Sequence, residues 1–366
     1  MASQPAVSSS ITVPASKTVS FETGKQHYAP SYWSHVHGSK EAQLPLTARL
    51  ELLRKHGNFS LAYSTAVQSQ MEYFGDADGY IAYRVRGGMT FALGDPVCPP
   101  ERVSSLLAEF VKAHRRPSFI QVHHNTARVL ESLGFFVNDM GVDTRLDLDS
   151  YNFVGKDKEW LRYAENWVTK RGFRIEEAGF KEYESEILDV SESWRATRTI
   201  KKKEVRFLSR PIVMNDELDV RRFFLFDAAG KIAAFVFFDP IYEAGRVTGY
   251  VTCIKRRQPD APQYAESAIM KRAIEQFQRE GLSSVWLGLS PFANIENREF
   301  RHNRILHWTT RYYHGAGWMN KYFYNFLGHT QYKSRFRGIE VKVHYASPVR
   351  FNSFRLLALA SLCGAI

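Results

Sequence analysis

The densest run of chemically capable side chains lies late in the chain. Leu287-Gly-Leu-Ser-Pro-Phe-Ala293 reads as a buried strand ending at a glycine turn. Tyr324-Asn-Phe-Leu-Gly328 and Tyr332-Lys-Ser-Arg-Phe336 then bring aromatic, amide and cationic groups to a place where a loop meets a short helix. The end of a strand followed by a basic, aromatic segment is where an α/β protein can hold an anionic substrate. Gly288 permits close backbone approach, Ser290 stands beside it, and Tyr324 and Asn325 offer a hydroxyl and an amide. Tyr322, Phe323 and Phe326 give the same stretch an ordinary use as core. Upstream, Tyr250-Val-Thr-Cys-Ile-Lys255 runs into Arg256-Arg-Gln-Pro-Asp-Ala-Pro262, which sets Thr252, Arg257 and Asp260 along the route from a strand to a helix. Asp260 is a candidate general base, although its place before Pro262 also suits a carboxylate favoured at a helix N-terminus. His123-His124 and His35-x-His37 lack partners at metal-ligand spacing, and Asp95 before Pro96 suits a turn, so these read as structural and no metal is expected.

The elements that must position these groups are bounded by composition. A chain of 366 residues, 44% hydrophobic, can furnish two ordinary cores, and 26 Phe with 18 Tyr argue against extended disorder. Cys98, Cys253 and Cys363 are far apart and odd in number, which excludes a disulfide framework and a four-cysteine zinc site and favours a reducing cytoplasm. The net charge of +11 and pI of about 9.4 predict attraction to nucleic-acid phosphates or anionic lipid headgroups. Basic clusters at 195–210, 255–257, 298–304 and 333–337 mark the second half as the partner-binding one. No apolar run reaches the roughly 20 residues that span a bilayer, and the N-terminus lacks the basic start and apolar core of a signal peptide. The expected location is the cytoplasm, at the inner face of the membrane. The short apolar run Leu356–Ile366 can dock on the body or rest on a membrane; on the membrane reading, removing residues from Phe351 onward leaves the body intact.

Residues 1–40 read as a mobile tail. Extended structure is expected from Phe59 to Val97, with a hairpin at Gly87-Gly88 between Tyr80–Val85 and Met89–Leu93. A helix over Arg102–His114, a strand at Phe119–Val122, a helix at Thr126–Leu133 and extended structure from Phe135 to Leu148 complete a first unit, 41–155. A second, 156–347, opens with a helix at Lys156–Lys170. It continues through extended stretches at Phe173–Glu177, Arg222–Phe226, Ile232–Phe238 and Val247–Ile254, a helix at Gln263–Arg279 and a strand at Ser284–Leu289. Residues 348–366 form an apolar tail. No internal repeat is visible in the sequence.

In this order, His56-Gly-Asn-Phe-Ser-Leu-Ala-Tyr63, Ala82-Tyr-Arg-Val-Arg-Gly-Gly88, Leu93-Gly-Asp-Pro-Val97, Pro259-Asp-Ala-Pro262 and the three blocks named first resemble the phosphatidylglycerol lysyltransferase C-terminal domain family. The resemblance implies an α/β fold of two tandem GNAT-like acyltransferase domains with mixed central sheets and an active site mainly in the second. It also implies an aminoacyl-tRNA donor and a lipid hydroxyl acceptor such as that of phosphatidylglycerol. Lys333 and Arg335 match the family's paired cations and are catalytic candidates, with Asp260 as a third from its place between a strand and the following helix. Lys333, taken as an exposed cation, would steady the donor's terminal phosphate or the oxyanion. Arg335 would grip phosphate, and Asp260 would orient the aminoacyl amine. Gly288, Ser290, Tyr324, Asn325, Arg257 and Thr252 are the substrate-binding candidates. The chain departs from the family where lysyl-transferring members carry an acidic residue in the strand occupied here by Thr252 and Cys253, so lysine is not carried over as the cargo. Lys342 stands in for a family arginine.

The donor can also be approached from the residues. An acyl-CoA site needs successive glycine amides around pyrophosphate, but the segment before the second unit's helix has no glycine and two prolines. A Walker-type loop is also missing. A donor activated elsewhere remains, and an aminoacyl-tRNA meets both that need and the positive charge. No cofactor and no DNA partner are expected. The readings left open are a GNAT-like N-acyltransferase on a small amine, and a non-catalytic protein that binds RNA or membrane.

Overall fold

The computed structural model describes residues 44–197, 206–322 and 324–364. The expected tail 1–40, the His35 and His37 pair, Phe323 and residues 198–205 of the first basic cluster lie outside them.

The first half contributes α1 (Leu46–His56), α2 (Ala62–Val67), β1 (Glu72–Asp76), β2 (Gly79–Arg86), β3 (Met89–Leu93), α3 (Val103–Ala113), β4 (Ser118–Val122), α4 (His124–Ser132) and β5 (Phe136–Asp147). The hairpin β2–β3 turns on Gly87 and Gly88 with φ of +57° and +71°, the left-handed pair that a two-residue turn of this kind demands. Strand β3 then runs parallel to β4, with α3 as the crossover. The expectation of continuous extended structure fails at α2. Ala62–Ala66 are all buried, so the segment shows no alternation between two faces and closes into a short helix.

The second half contributes α5 (Glu159–Thr169), β6 (Arg174–Glu177), α6 (Glu184–Ala196), β7 (Arg221–Phe226), β8 (Ile232–Glu243), β9 (Arg246–Arg257), α7 (Ala265–Arg279), β10 (Ser284–Pro291), α8 (Arg304–Gly315), α9 (Gly317–Tyr322), α10 (Phe326–Ser334), β11 (Ile339–Ser347) and α11 (Ser353–Leu362). It repeats the plan of the first half: an antiparallel run, then the parallel pair β9–β10 joined by a helix, α7. Helix α7 buries Ile269, Ile274 and Phe277 against the sheet. The Phe277 ring stacks on Tyr250 at 4.7 Å and meets Phe223 and Phe238 edge-on.

Among the described residues, eleven strands form one mixed sheet in the order β1-β2-β3-β4-β11-β5-β10-β9-β8-β7-β6. The last strand of each half is exchanged: β5 pairs with β10 of the second half, and β11 crosses back to pair with β4 of the first, while β5 and β11 pair with each other.

Charge in the second half is partly internal. Arg210, 3% exposed, donates to Asp239 at 2.6–3.0 Å and to Glu217 at 2.8 Å. Arg256 is buried with its guanidinium 4.8 Å from the Trp194 ring. Arg298, Arg301, Arg304, Arg335 and Arg337 remain exposed. The C-terminal apolar run docks on the body through α11. Leu362 and Cys363 join the core of the first half, and buried Arg355 donates to Ser118 Oγ at 2.9 Å.

Candidate functional site

The centre of the sheet holds buried charge. Strand β10 pairs with β9 only from Ser284 to Trp286. Against β5 it steps from Trp286, opposite Arg145, to Leu289, opposite Asp143, so one extra residue is accommodated. Gly288 takes up this bulge at φ +78°, a conformation a side chain would strain. The bulge turns two carbonyls toward α10, and Lys333 Nζ donates to both Gly288 O and Leu289 O at 2.6 Å. Thr252 on β9 donates to Leu287 O at 3.0 Å.

Lys333 is therefore not a surface cation. It is 5% exposed. Burial, with help from Lys255 and opposed by Asp143, pushes its pKa down to about 7. Asp143, fully buried on β5, is pushed above the usual carboxylate range by burial, against the pull of Ser60, Lys333 and His123. Among the described residues, neither Asp143 oxygen meets a donor at hydrogen-bonding geometry.

His123, at the end of β4, faces the same cluster. Its backbone N–H donates to Asp95 Oδ1 at 2.9 Å and its Nδ1 lies 2.7 Å from Asp95 Oδ2. Burial lowers the imidazole's pKa, but Asp95 outweighs that and holds it above the ordinary histidine value. Burial also acts on Asp95, yet His123 and Thr126 keep its pKa below normal. His123 Nε2 is buried with no partner among the described residues. Phe59 and Trp286 stand edge-on to the imidazole at 6.2 and 6.1 Å. An imidazole fixed through Nδ1 by a carboxylate, with Nε2 uncommitted, is an arrangement able to accept a proton. The buried charge of Lys333 can stabilise a developing anion.

The sequence-derived candidates divide. Lys333, Gly288 and Thr252 come together at the bulge, with Ser290 two residues further along the strand, buried and paired with Val142. Arg335, two residues from Lys333, is exposed and stacks on Trp160 of α5 at 4.3 Å, so the two cations serve different surroundings. Asn325 caps α10, its side-chain oxygen accepting from Gly328 N at 2.9 Å, and Tyr324 stacks on His329 at 4.9 Å. Arg257 donates to Pro262 O at 3.3 Å and braces the β9–α7 loop, where Asp260 is exposed. In that loop the Gln258 and Ala261 amides are already spent on Ala233 O and Gln258 O. Lys342 sits between Glu296, at 3.1 Å, and Asp139, at 3.5 Å.

Of the groups in the cluster, the sequence marks only Lys333 as a candidate. Asp95 and His123, each taken as structural, stand just past the ends of the adjacent parallel strands β3 and β4; polar groups at such paired strand ends are the signal that could have joined them. Asp143 is a lone carboxylate within a buried strand. The cluster draws Ser60, His123 and Asp143 from the first half and Trp286 and Lys333 from the second. Among the described residues, no group of three or more His, Cys, Asp or Glu is placed to hold a metal ion.

The fold is of the mixed α/β class, two like halves fused through one sheet, with buried ionisable groups where they meet. The chain belongs to the phosphatidylglycerol lysyltransferase C-terminal family, whose model matches residues 50–347. It is 22% identical over 251 residues to a phosphatidylglycerol lysyltransferase of Bacillus subtilis, a match covering 66% of this chain and 28% of that protein. Two solved structures share the fold at a TM-score of 0.72, each covering 88% of this chain and 98% of the other. They are the C-terminal domain of a protein described as a lysylphosphatidylglycerol synthetase from Agrobacterium fabrum, 20% identical, and L-PGS from Bacillus licheniformis, 19% identical.

Proposed function

We propose that the chain is an aminoacyltransferase that moves an amino acid from an aminoacyl-tRNA to a hydroxyl of an anionic phospholipid such as phosphatidylglycerol. The observation that carries this reading is the buried set of His123, Asp143 and Lys333 at the junction of the two halves: His123 Nε2 and both Asp143 oxygens lack a partner among the described residues, and Asp143 feels the charge of both Lys333 and His123. Family membership supports the class of reaction. The spent amides of the β9–α7 loop speak against a pyrophosphate cradle and so favour a donor other than acyl-CoA.

In this reading the acceptor oxygen attacks the aminoacyl carbonyl carbon while His123 Nε2 takes the hydroxyl proton. Lys333 supplies positive charge to the carbonyl oxygen as it becomes an oxyanion. The bond to the ribose oxygen of the tRNA then breaks, and that oxygen receives the proton from His123. No amino acid is singled out by the site.

The test is to incubate purified protein with mixed charged tRNA and total lipid extract and to search by mass spectrometry for aminoacylated lipid. Product that disappears after ribonuclease treatment is expected. Product that survives the treatment overturns the tRNA donor, a soluble aminoacylated product overturns the lipid acceptor, and no product of either kind overturns the enzyme reading.

A further inference from the structure

Helices α8 and α9 turn an apolar and aromatic face toward solvent. Ile305, Trp308 and Tyr312 form one stripe along α8 and are 57%, 62% and 59% exposed; Trp318 and Tyr322 of α9 are also largely exposed. Exposed Arg304, Arg311 and Lys321 flank them. From Arg301 to Ile339 the chain contains no Asp or Glu, while besides the buried Lys333 it carries the exposed Arg301, Arg304, Arg311, Lys321, Arg335 and Arg337. The outward face of an ordinary surface helix is polar and mixed in sign. This one is aliphatic, aromatic and positive, the combination that suits a membrane–water interface. Helix α11 adjoins it: Leu306 of α8 and Phe351, Asn352 and Leu356 line one crevice, and α11 exposes Phe354 and Leu357.

We propose that α8 and α9, with α11 beside them, form the face by which this protein lies on an anionic lipid bilayer. Charge complementarity names the occupant, because basic side chains near an anionic leaflet each add attraction and no carboxylate in this segment opposes it. An RNA would use the arginines but would gain nothing from Ile305, Phe354 and Leu357. The ring faces are also partly taken, with the Arg311 guanidinium 5.8 Å from the Trp308 centroid and the Lys321 ammonium 5.1 Å from that of Tyr322. The inference deepens the lipid-acceptor reading and rests on it for its purpose.

The experiment is co-sedimentation with vesicles of phosphatidylglycerol and phosphatidylcholine, against phosphatidylcholine alone, with no tRNA present. The intact chain is expected to prefer the anionic vesicles. The Ile305→Ser/Trp308→Ser and Arg304→Glu/Arg311→Glu variants should each bind them roughly tenfold or more weakly at unchanged melting temperature. If either pair lowers the melting temperature, Arg304→Gln/Arg311→Gln decides in the same way. Failure of the intact chain to bind anionic vesicles, or undiminished binding by folded variants, overturns the proposal. So does a variant that keeps vesicle binding and loses tRNA binding instead, and so does loss confined to Phe354→Ser/Leu357→Ser. Vesicle binding without any lipid aminoacylation would instead sink the acceptor reading and leave this one standing.

Discussion

At the scale of single residues, Lys333 decides most. Replacing it by Ala should lower aminoacyl transfer by about a hundredfold or more, the usual scale for removing one oxyanion-stabilising group. Lys333→Arg should restore part of the rate, since it keeps charge but changes donor geometry. Because burial sets the Lys333 pKa at about 7, wild-type transfer should fall as pH rises through that value, and Lys333→Arg should lose this alkaline limb. Near-normal transfer by a folded Lys333→Ala protein would remove the residue from the mechanism. Burial also reverses the stability expectation for an exposed cation. An unfolded lysine titrates near 10.4, so the unfolded chain binds more protons between about pH 7 and 10.5, and this group makes stability rise with pH across that window. Lys333→Met should flatten that part of a stability–pH curve. For His123 the sign is opposite. Its raised pKa contributes stability that is full below the unfolded histidine value and lost as pH rises through the folded one. Asp95→Asn should lower the His123 pKa, read from its imidazole resonances by NMR; an unchanged titration would show that Asp95 does not hold the ring.

At the scale of elements, α11 gives a test with a clear sign. Deleting residues from Phe351 onward removes Leu362 and Cys363 from the core and strands Ser118 without Arg355, so the melting temperature should drop by about 5 °C or more. An unchanged melting curve would return α11 to the status of a loose appendage. The run was legible as apolar, but its buried arginine, whose partner stands 237 positions away, was not. The same contrast holds elsewhere. Strands β2, β3 and β10 and helices α3 and α7 were readable because alternation, a Gly-Gly turn or a helical stripe is local. Strand β11 was not, since Val343 and Tyr345 are buried by neighbours from the other half of the chain. In the site, Lys333 and Gly288 were marked by their blocks. His123 and Asp95 read as structural because a pair formed across adjacent strand ends shows in the sequence as polar groups at those ends and not as a spacing.

At the scale of the whole molecule, the basic surface should bind uncharged tRNA at low salt and release it as salt rises, because each phosphate contact frees counterions. An affinity indifferent to salt would speak against phosphate contacts. The exchange of β5 and β11 makes a separate demand: residues 44–155 produced alone should be insoluble or poorly ordered, and co-production with 156–364 should restore a soluble pair, measured by co-purification and circular dichroism. A well-folded N-terminal half would show that β11 is dispensable to it. The same exchange governs the order of events at the ribosome. When β4 and β5 have been made, the strand that belongs between them is still some two hundred residues from synthesis, so both present open edges of the kind that template aggregation. Contacts of such long sequence separation form late and slowly. The nascent first half must therefore wait until β11 has been made, and the site between the two halves can assemble only in that step.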